Sequence, residues 1–200
     1  MHARHLLLST VILITACATT AEVATQSPVP AGQNVYVIDP GHTFPNFEIT
    51  HLGLTTHRGR FNKTSGWVML DRAAHDGSVE IKIDADSLDT GDARLEQRLR
   101  AEDFFDTASY PTITFKSNQL HFAGDVLVGV DGELTLRGVT RPVALTVTSF
   151  RCGNRPITGQ EACGANAETT IKRADFGITA YPSAIGADVK LLFQVEAVKR

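Results

Sequence analysis

The sequence predicts an all-β fold of roughly eight to ten short antiparallel strands with one short helix. Several segments alternate between apolar and polar residues with a period of two, so that one face of each segment turns inward. Glycine-containing turn sequences separate these segments at the spacing of an antiparallel meander. A single segment near the middle of the 200-residue chain has the composition of a helix instead.

The cleanest alternation places Val79, Ile81 and Ile83 on one face, with a charged residue after each of them. β-Branched side chains favour a pleated, half-buried surface, so this pattern predicts a strand. Five further segments follow the same rule, the first and the last less regularly, namely residues 47–52, 112–116, 133–137, 143–148 and 189–198.

Three short sequences predict turns between these strands. Asp131-Gly132 has the form of a two-residue hairpin turn and lies between two alternating segments. Gly138 predicts a second turn, and Asp76-Gly77 predicts another ahead of the strand at residues 79–83.

Residues 93–100 predict the helix, because they are rich in Leu, Arg, Glu and Gln. Leu95 and Leu99 are four residues apart and are expected to pack inward, while Arg94 and Arg98 share another face. The two arginines could receive an anionic headgroup, since guanidinium groups suit phosphate. A solvated, charged helix face is the commoner arrangement.

A sheet of this many strands must close on itself or pair with a second sheet to avoid exposed edges. A barrel of about eight strands is just wide enough for side chains or one small ligand. Composition alone leaves a filled barrel, a hollow barrel and a sandwich open, because every inward residue could equally be core.

Charge and hydropathy exclude two classes of protein. The net charge is −3, whereas a nucleic-acid partner requires a basic surface, so no nucleic acid is expected. The chain contains no run of 18 or more apolar residues, so no helix of the mature protein is expected to span a membrane.

The first 17 residues resemble a bacterial export segment of the lipoprotein type. Arg4 precedes an apolar stretch at residues 6–14, which is too short to span a bilayer. The sequence that ends at Cys17 resembles a lipobox, which predicts cleavage before Cys17 and its lipidation; ordinary cleavage at the same small residues is the alternative. An acidic residue directly after the lipidated cysteine is typical of lipoproteins retained in the inner membrane, and Ala18 is not acidic. We therefore expect a periplasmic protein that is tethered to the outer membrane.

The remainder of the chain divides into a tether and a domain. Residues 18–33 are rich in Ala, Thr and Pro without periodicity, which predicts a flexible tether, and residues 34–200 form the domain. Cys152 and Cys163 lie in a stretch rich in Gly, and an exported chain is oxidised, so they predict a disulfide. A metal site would need more ligands at tighter spacing, and none is predicted.

Seven short sequence motifs follow one another from about residue 34 to the end of the chain. The motifs are Tyr36-Val37-Ile38-Asp39-Pro40-Gly41-His42-Thr43, Phe47-Glu48-Ile49-Thr50-His51-Leu52-Gly53, Gly59-Arg60-Phe61 with Gly66, Asp103-Phe104-Phe105-Asp106 with Tyr110-Pro111, Thr114-Phe115-Lys116-Ser117, residues 132–143 and Ile171-Lys172-Arg173-Ala174-Asp175-Phe176-Gly177. In this order and spacing they resemble the YceI family of lipocalin-like, polyisoprenoid-binding proteins.

The resemblance implies an extended antiparallel, lipocalin-like barrel of about eight strands that carries or stores a long isoprenoid lipid or prenyl quinone in an apolar interior. No other cofactor is implied, and a homodimer is left open. Members of the family often carry His where this chain has Arg98, so a contact to the headgroup would be cationic here. The residues expected to contact the ligand are Phe44, Phe47, Ile49, His51, Phe61, Trp67, Arg98, Phe104, Phe105, Phe115, Leu134, Leu136, Phe176 and Phe193.

Two other functions are weighed against this one. An envelope enzyme acting on a bound lipid or amide would use His51, Arg98 and Asp103, but no recognisable catalytic motif accompanies them. A ligand-free interaction module would have a filled core. We therefore expect a binding protein that is not an enzyme.

Overall fold

The structure, a computed structural model, describes residues 28–32 and 34–200. The predicted export segment and Cys17 lie outside the described residues, as does most of the tether predicted at residues 18–33. Within the described part, no helix is both long and apolar enough to cross a membrane.

The described residues contain eleven strands and one α-helix, α1, at Ala93–Arg100. The strands are β1 (Val35–Ile38), β2 (Phe44–His51), β3 (Thr55–Phe61), β4 (Thr64–Asp71), β5 (Asp76–Asp84), β6 (Leu88–Asp89), β7 (Thr112–Ala123), β8 (Val126–Leu136), β9 (Val139–Asn154), β10 (Glu161–Lys172) and β11 (Ile185–Lys199). Short 3₁₀ turns occupy Ala85–Ser87 and Arg173–Phe176.

The eleven segments form a closed barrel of eight long antiparallel strands. Three of the long strands are bent and each consists of two segments: β1 continues into β2, β3 into β4 and β5 into β6. Both segments of one bent strand pair with the next bent strand, since β2 pairs with β3 and β1 with β4, and β3 pairs with β6 and β4 with β5. From β7 to β11 each strand pairs with the next along the chain. The last strand closes the ring by pairing with the first, at Ile38 opposite Ala197 and at Phe47 opposite Leu191. Closure removes the exposed sheet edges that a flat sheet would have.

The inward faces of the strands form two adjoining apolar clusters. The larger cluster lies beside α1 and includes Phe61, Phe104 and Phe176. The smaller cluster includes Tyr36 and Leu70 and lies near the chain ends, away from α1. The helix follows directly from the sequence, because Asp92 caps its first turn by accepting a hydrogen bond from the backbone N–H of Arg94.

The hairpin turn predicted at Asp131-Gly132 is wrong, because β8 runs through both residues as one strand. A side chain at Gly132 would meet the carbonyl oxygen of Lys116 at 2.5 Å and the ring of Phe115 at 2.6 Å. The glycine therefore allows β7 and a ring to approach closely rather than permitting a turn. The Asp131 carboxylate pairs with the His121 ring, 2.8 Å away across the strands.

Of the other two predicted turns, the one at Gly138 is confirmed and the one at Asp76-Gly77 is wrong in position. Gly138 follows Arg137 in a left-handed turn between β8 and β9, with φ values of 69° and 51°, as predicted. The turn before β5 lies at residues 72–75, so that Asp76-Gly77 begins the strand instead of forming the turn. Gly77 is needed there because a Cβ would lie 2.3 Å from the carbonyl oxygen of Met69.

The predicted disulfide between Cys152 and Cys163 is present. The two residues lie directly opposite each other on β9 and β10, with their Cα atoms 4.0 Å apart. The bridge therefore joins two strands that already pair, at the end of the barrel away from α1.

Tyr36 is buried in the smaller cluster and makes a hydrogen bond to an acidic residue. Its hydroxyl donates a hydrogen bond to Glu161, 2.7 Å away, and Lys199 binds the same carboxylate at 2.7 Å. Burial, this hydrogen bond and the charge of Glu161 raise the pKa of Tyr36 to about 12. We expect a tyrosinate absorbance step near pH 12 in an alkaline titration, and its loss in Tyr36→Phe.

The raised pKa of Tyr36 makes the stability of the folded protein depend on pH. The folded-state pKa exceeds the unfolded value of about 10, so this contribution is fully present below pH 10 and is lost as the pH rises towards 12. A titration in which Tyr36→Phe leaves every step in place would contradict the described hydrogen bond.

Candidate binding cavity

The barrel encloses an apolar cavity of about 390 Å³ beside α1. Strands β2, β3 and β11 supply much of its wall, and Leu95 and Leu99 of α1 close one side, as their spacing predicted. Odd-numbered residues of β11 point into it, including Val189 and Leu191. The cavity is thus built from the alternation of the strands, with the helix as a cover.

A second apolar cavity of about 120 Å³ lies deeper in the barrel. The two share Pro45, Ile83, Leu134 and Phe193 as lining residues, so they adjoin. Together they make an elongated apolar space along the barrel. The barrel is therefore neither filled from end to end nor a sandwich.

Most of the residues expected to contact a ligand line this space. Ten of them line the larger cavity, namely Phe47, Ile49, His51, Phe61, Arg98, Phe104, Phe105, Leu134, Leu136 and Phe193. Phe115 lines the smaller cavity, together with Leu134 and Phe193.

Phe44, Trp67 and Phe176 line neither cavity. Phe44 lies on the outward side of β2, where the guanidinium of Arg60 stands 5.0 Å from its ring centroid. Trp67 has the opposite parity to the inward-facing residues of β4, such as Leu70. Phe176 is packed solidly in the larger cluster and is 2% exposed. We therefore leave these three residues out of the proposed ligand contacts.

Three phenylalanines form an aromatic wall inside the larger cavity. The rings of Phe61 and Phe105 meet edge to face at 5.5 Å, and Phe47 lies 6.1 and 6.0 Å from them. The Phe47 ring also lies across Gly59 of β3, where a Cβ would come within 2.4 Å of it. The glycine thus sets the position of a ring that the ligand would touch.

The cavity opens to solvent at its polar end, since His57, Arg98 and Tyr181 are exposed and also line it. We call this opening the mouth. Arg98 donates hydrogen bonds to Asp103 and, at 2.9 Å, to the Tyr181 hydroxyl. The hydrogen bond to Tyr181 and the charge of Asp103 raise the pKa of Arg98 above its ordinary value.

Two further pairs lie at the mouth. The rings of His51 and His57 contact each other with centroids 4.6 Å apart. Arg58, which also lines the cavity, donates a hydrogen bond of 2.7 Å to Glu48. Every charged residue among the described lining residues is an arginine, and none is a carboxylate.

The role of Arg173 was not predicted from the sequence, although the residue lies in the motif at residues 171–177. Its buried guanidinium donates to the carbonyl oxygens of Gly186, Ile178 and Ile185 at 2.8, 3.0 and 3.1 Å. These bonds hold the irregular segment before β11 against the cavity. Tyr181 and Ile178 also line the cavity. They were not predicted either, because they lie on this irregular segment, which has no hydrophobic periodicity.

One cluster of metal-type ligands lies elsewhere, at Asp39, His42 and Glu196. Arg155 already stands between the two carboxylates, with Nη2 at 2.5 Å from Asp39 and 3.1 Å from Glu196. Its hydrogen bond lowers the pKa of Asp39. The guanidinium supplies the positive charge that a metal ion would bring, so the cluster reads as an ion-pair network.

Comparison with known sequences finds a match to the YceI-like domain over residues 36–197. A UPF0312 protein of Vibrio campbellii is 35% identical over 186 residues, which cover 92% of this chain and 97% of that protein. A UPF0312 protein of Shewanella denitrificans is 35% identical over 168 residues, which cover 82% and 87%.

Solved structures share the fold. BcnA of Burkholderia cenocepacia matches with a TM-score of 0.70 at 26% identity, covering 80% of this chain and 99% of BcnA. The Campylobacter jejuni YCEI protein matches with a TM-score of 0.64 at 25% identity, covering 76% and 90%. A polyisoprenoid binding domain from Saccharophagus degradans matches with a TM-score of 0.63 at 22% identity, covering 82% and 98%.

Proposed function

The chain belongs to the YceI-like family, and from that premise we propose that it binds and carries or stores a long isoprenoid lipid inside its barrel, in the bacterial cell envelope. The polyisoprenoid binding domain of Saccharophagus degradans, which shares the fold, supports this choice of cargo. Family and fold favour a binding protein over an enzyme.

One observation carries the proposal, which is the elongated apolar space formed by the two adjoining cavities. A hydrocarbon chain gains about 0.8 kcal/mol for each CH₂ group that it buries. A segment of about fifteen carbons would therefore gain on the order of 10 kcal/mol before the cost of ordering it is subtracted. The cavity's elongation suits a chain rather than a compact ligand.

The mouth supplies the groups that a headgroup would meet. Arg58 and Arg98 are hydrogen-bond donors there, and Tyr181 offers a hydroxyl. A phosphate or a quinone carbonyl can accept from such donors. A polyprenyl lipid and a prenyl quinone both fit this arrangement.

An enzyme acting on the lipid is the weaker candidate. Asp103, one of the residues that it would recruit, is already bound by Arg98. His51 contacts His57, and neither is hydrogen-bonded to a carboxylate in the described contacts that would orient it as a base.

The envelope location is part of the proposal. The disulfide is consistent with an oxidising compartment. A lipoprotein anchor at Cys17 would tether the chain to the outer membrane from the periplasmic side. The described N-terminal residues meet the barrel at the end away from the mouth, where Arg200 contacts the carbonyl oxygen of Val29 at 3.4 Å.

Native mass spectrometry of the full chain, purified from its host envelope, tests the proposal. We expect a bound mass that organic extraction identifies as an isoprenoid lipid or quinone. The same spectrum reports acylation of Cys17. A protein that carries no lipid and takes up none from detergent micelles when purified empty would overturn the proposal.

A further inference from the structure

Three large apolar side chains stand exposed around the mouth. Leu52 is 55% exposed, Leu54 is 81% exposed and Tyr181 is 53% exposed. We call these three residues the mouth rim. They lie on two segments that meet, since the backbone N–H of Leu52 donates to the carbonyl oxygen of Ala184 at 2.6 Å. Ala184 and Tyr181 also line the larger cavity, so the rim borders its opening.

The backbone holds two of these side chains outward against its local preference. Leu52 and Gly53 form a tight turn between β2 and β3, with φ values of 54° and 67°, closed by a 3.0 Å hydrogen bond from the N–H of Leu54. Asn, Asp or Gly is preferred at the position of Leu52 in such a turn. Tyr181 has a φ of 50° and the same strain, and its ring also stacks on Phe104, with ring centroids 6.2 Å apart. An exposed leucine held in a strained turn points to a role in contact.

The composition of the rim indicates what it contacts. The hairpin residues 52–56 carry no charge. Arg58 and Arg98 line the cavity behind the rim. Each of them already binds a carboxylate, Arg58 that of Glu48 and Arg98 that of Asp103. An uncharged apolar tip with a tyrosine beside it, at the opening of an apolar cavity, matches the interface of a bilayer.

We propose that the mouth rim inserts into the surface of a bilayer, so that a lipid passes between bilayer and cavity without crossing water. This inference rests on the proposed function and adds the surface through which it acts. A second copy of the chain is the rival occupant, but three side chains fall short of the roughly 1,200–2,000 Å² that a stable protein interface buries.

Flotation with vesicles of phosphatidylcholine and phosphatidylglycerol tests the proposal on the full chain. The informative variant is Leu52→Asn/Leu54→Ser, because asparagine suits the left-handed turn and keeps the hairpin folded. We expect its partitioning onto vesicles to fall by tenfold or more, since two leucines no longer enter the interface. Ile157→Ser is the matched control, because Ile157 is 97% exposed in the loop between β9 and β10, at the opposite end of the barrel.

Two outcomes would overturn the inference. One is equal partitioning of the wild type and the double variant. The other is a wild-type dimer in analytical ultracentrifugation that the double variant converts to a monomer, which would assign the rim to self-association. Uptake of an isoprenoid from detergent micelles separates this inference from the proposed function. We expect the double variant to take up the isoprenoid as the wild type does. If neither protein takes it up, the result counts against the proposed cargo and not against docking on the bilayer.

Discussion

Replacing Val189 and Leu191 together by tryptophan is expected to abolish isoprenoid binding while the barrel remains folded. Both side chains point from β11 into the larger cavity, opposite Ile49 and Phe47 of β2. The two indole rings are larger than the aliphatic side chains they replace and would fill part of a space of about 390 Å³. Displacing about five carbons of the ligand costs about 4 kcal/mol, or roughly a thousandfold in affinity.

The residue between these two provides the control. Lys190 faces outward and pairs with Glu168 on β10, at 2.9 Å. Lys190→Trp therefore adds the same ring to the same strand without entering the cavity. We expect full uptake of a prenyl quinone from micelles by this control and none by the double variant, with both showing a cooperative thermal transition. Equal uptake by the two variants would mean that the ligand binds elsewhere.

Strand periodicity predicts the cavity wall well, because the walls of a closed barrel are the inward faces of its strands. Phe47, Ile49 and Leu134 lie on alternating segments, and all line the space. The same rule explains the residues that do not, since Phe44 and Trp67 have the opposite parity to their inward-facing neighbours. Aromatic character alone could not distinguish these two sets.

Local turn chemistry is a weaker guide. Asp131-Gly132 has a strong hairpin sequence, yet the pairing of β8 with strands on both sides extends through it. Gly132 is needed because Lys116 and Phe115 of β7 approach its backbone closely. Such a contact with another strand is not visible in the local sequence. Long-range packing therefore decides between a turn and a close contact.

The mouth was the least predictable part, because irregular segments build it. Ile178 is held at the cavity by the hydrogen bond from Arg173 to its carbonyl oxygen, and Tyr181 by the hydrogen bond from Arg98 to its hydroxyl. Whether the interior is empty also depends on the number and tilt of the strands, which fix the width of the barrel. From the sequence, only the family resemblance favours a hollow barrel.

Loss of the Cys152–Cys163 bridge is expected to lower the free energy of unfolding by about 3 kcal/mol, because the bond closes a short loop and restricts the unfolded chain. Domains of this kind are stable by about 5–15 kcal/mol, so the loss is a large fraction. Urea unfolding of the oxidised protein, with and without dithiothreitol, measures it. The bridge lies away from the mouth, so the reduced but folded protein should still take up an isoprenoid.

The variant Cys152→Ala/Cys163→Ala separates the bond from the packing of its sulfur atoms. Cys163 is buried in the smaller apolar cluster, so the variant loses some packing in addition to the bridge. We therefore expect its midpoint in urea to lie at or below that of the reduced wild type, and dithiothreitol to leave it unchanged. If reduction leaves the wild-type midpoint unchanged, the bond adds nothing to stability. The pairing of β9 with β10 would then already restrict the loop in the unfolded chain.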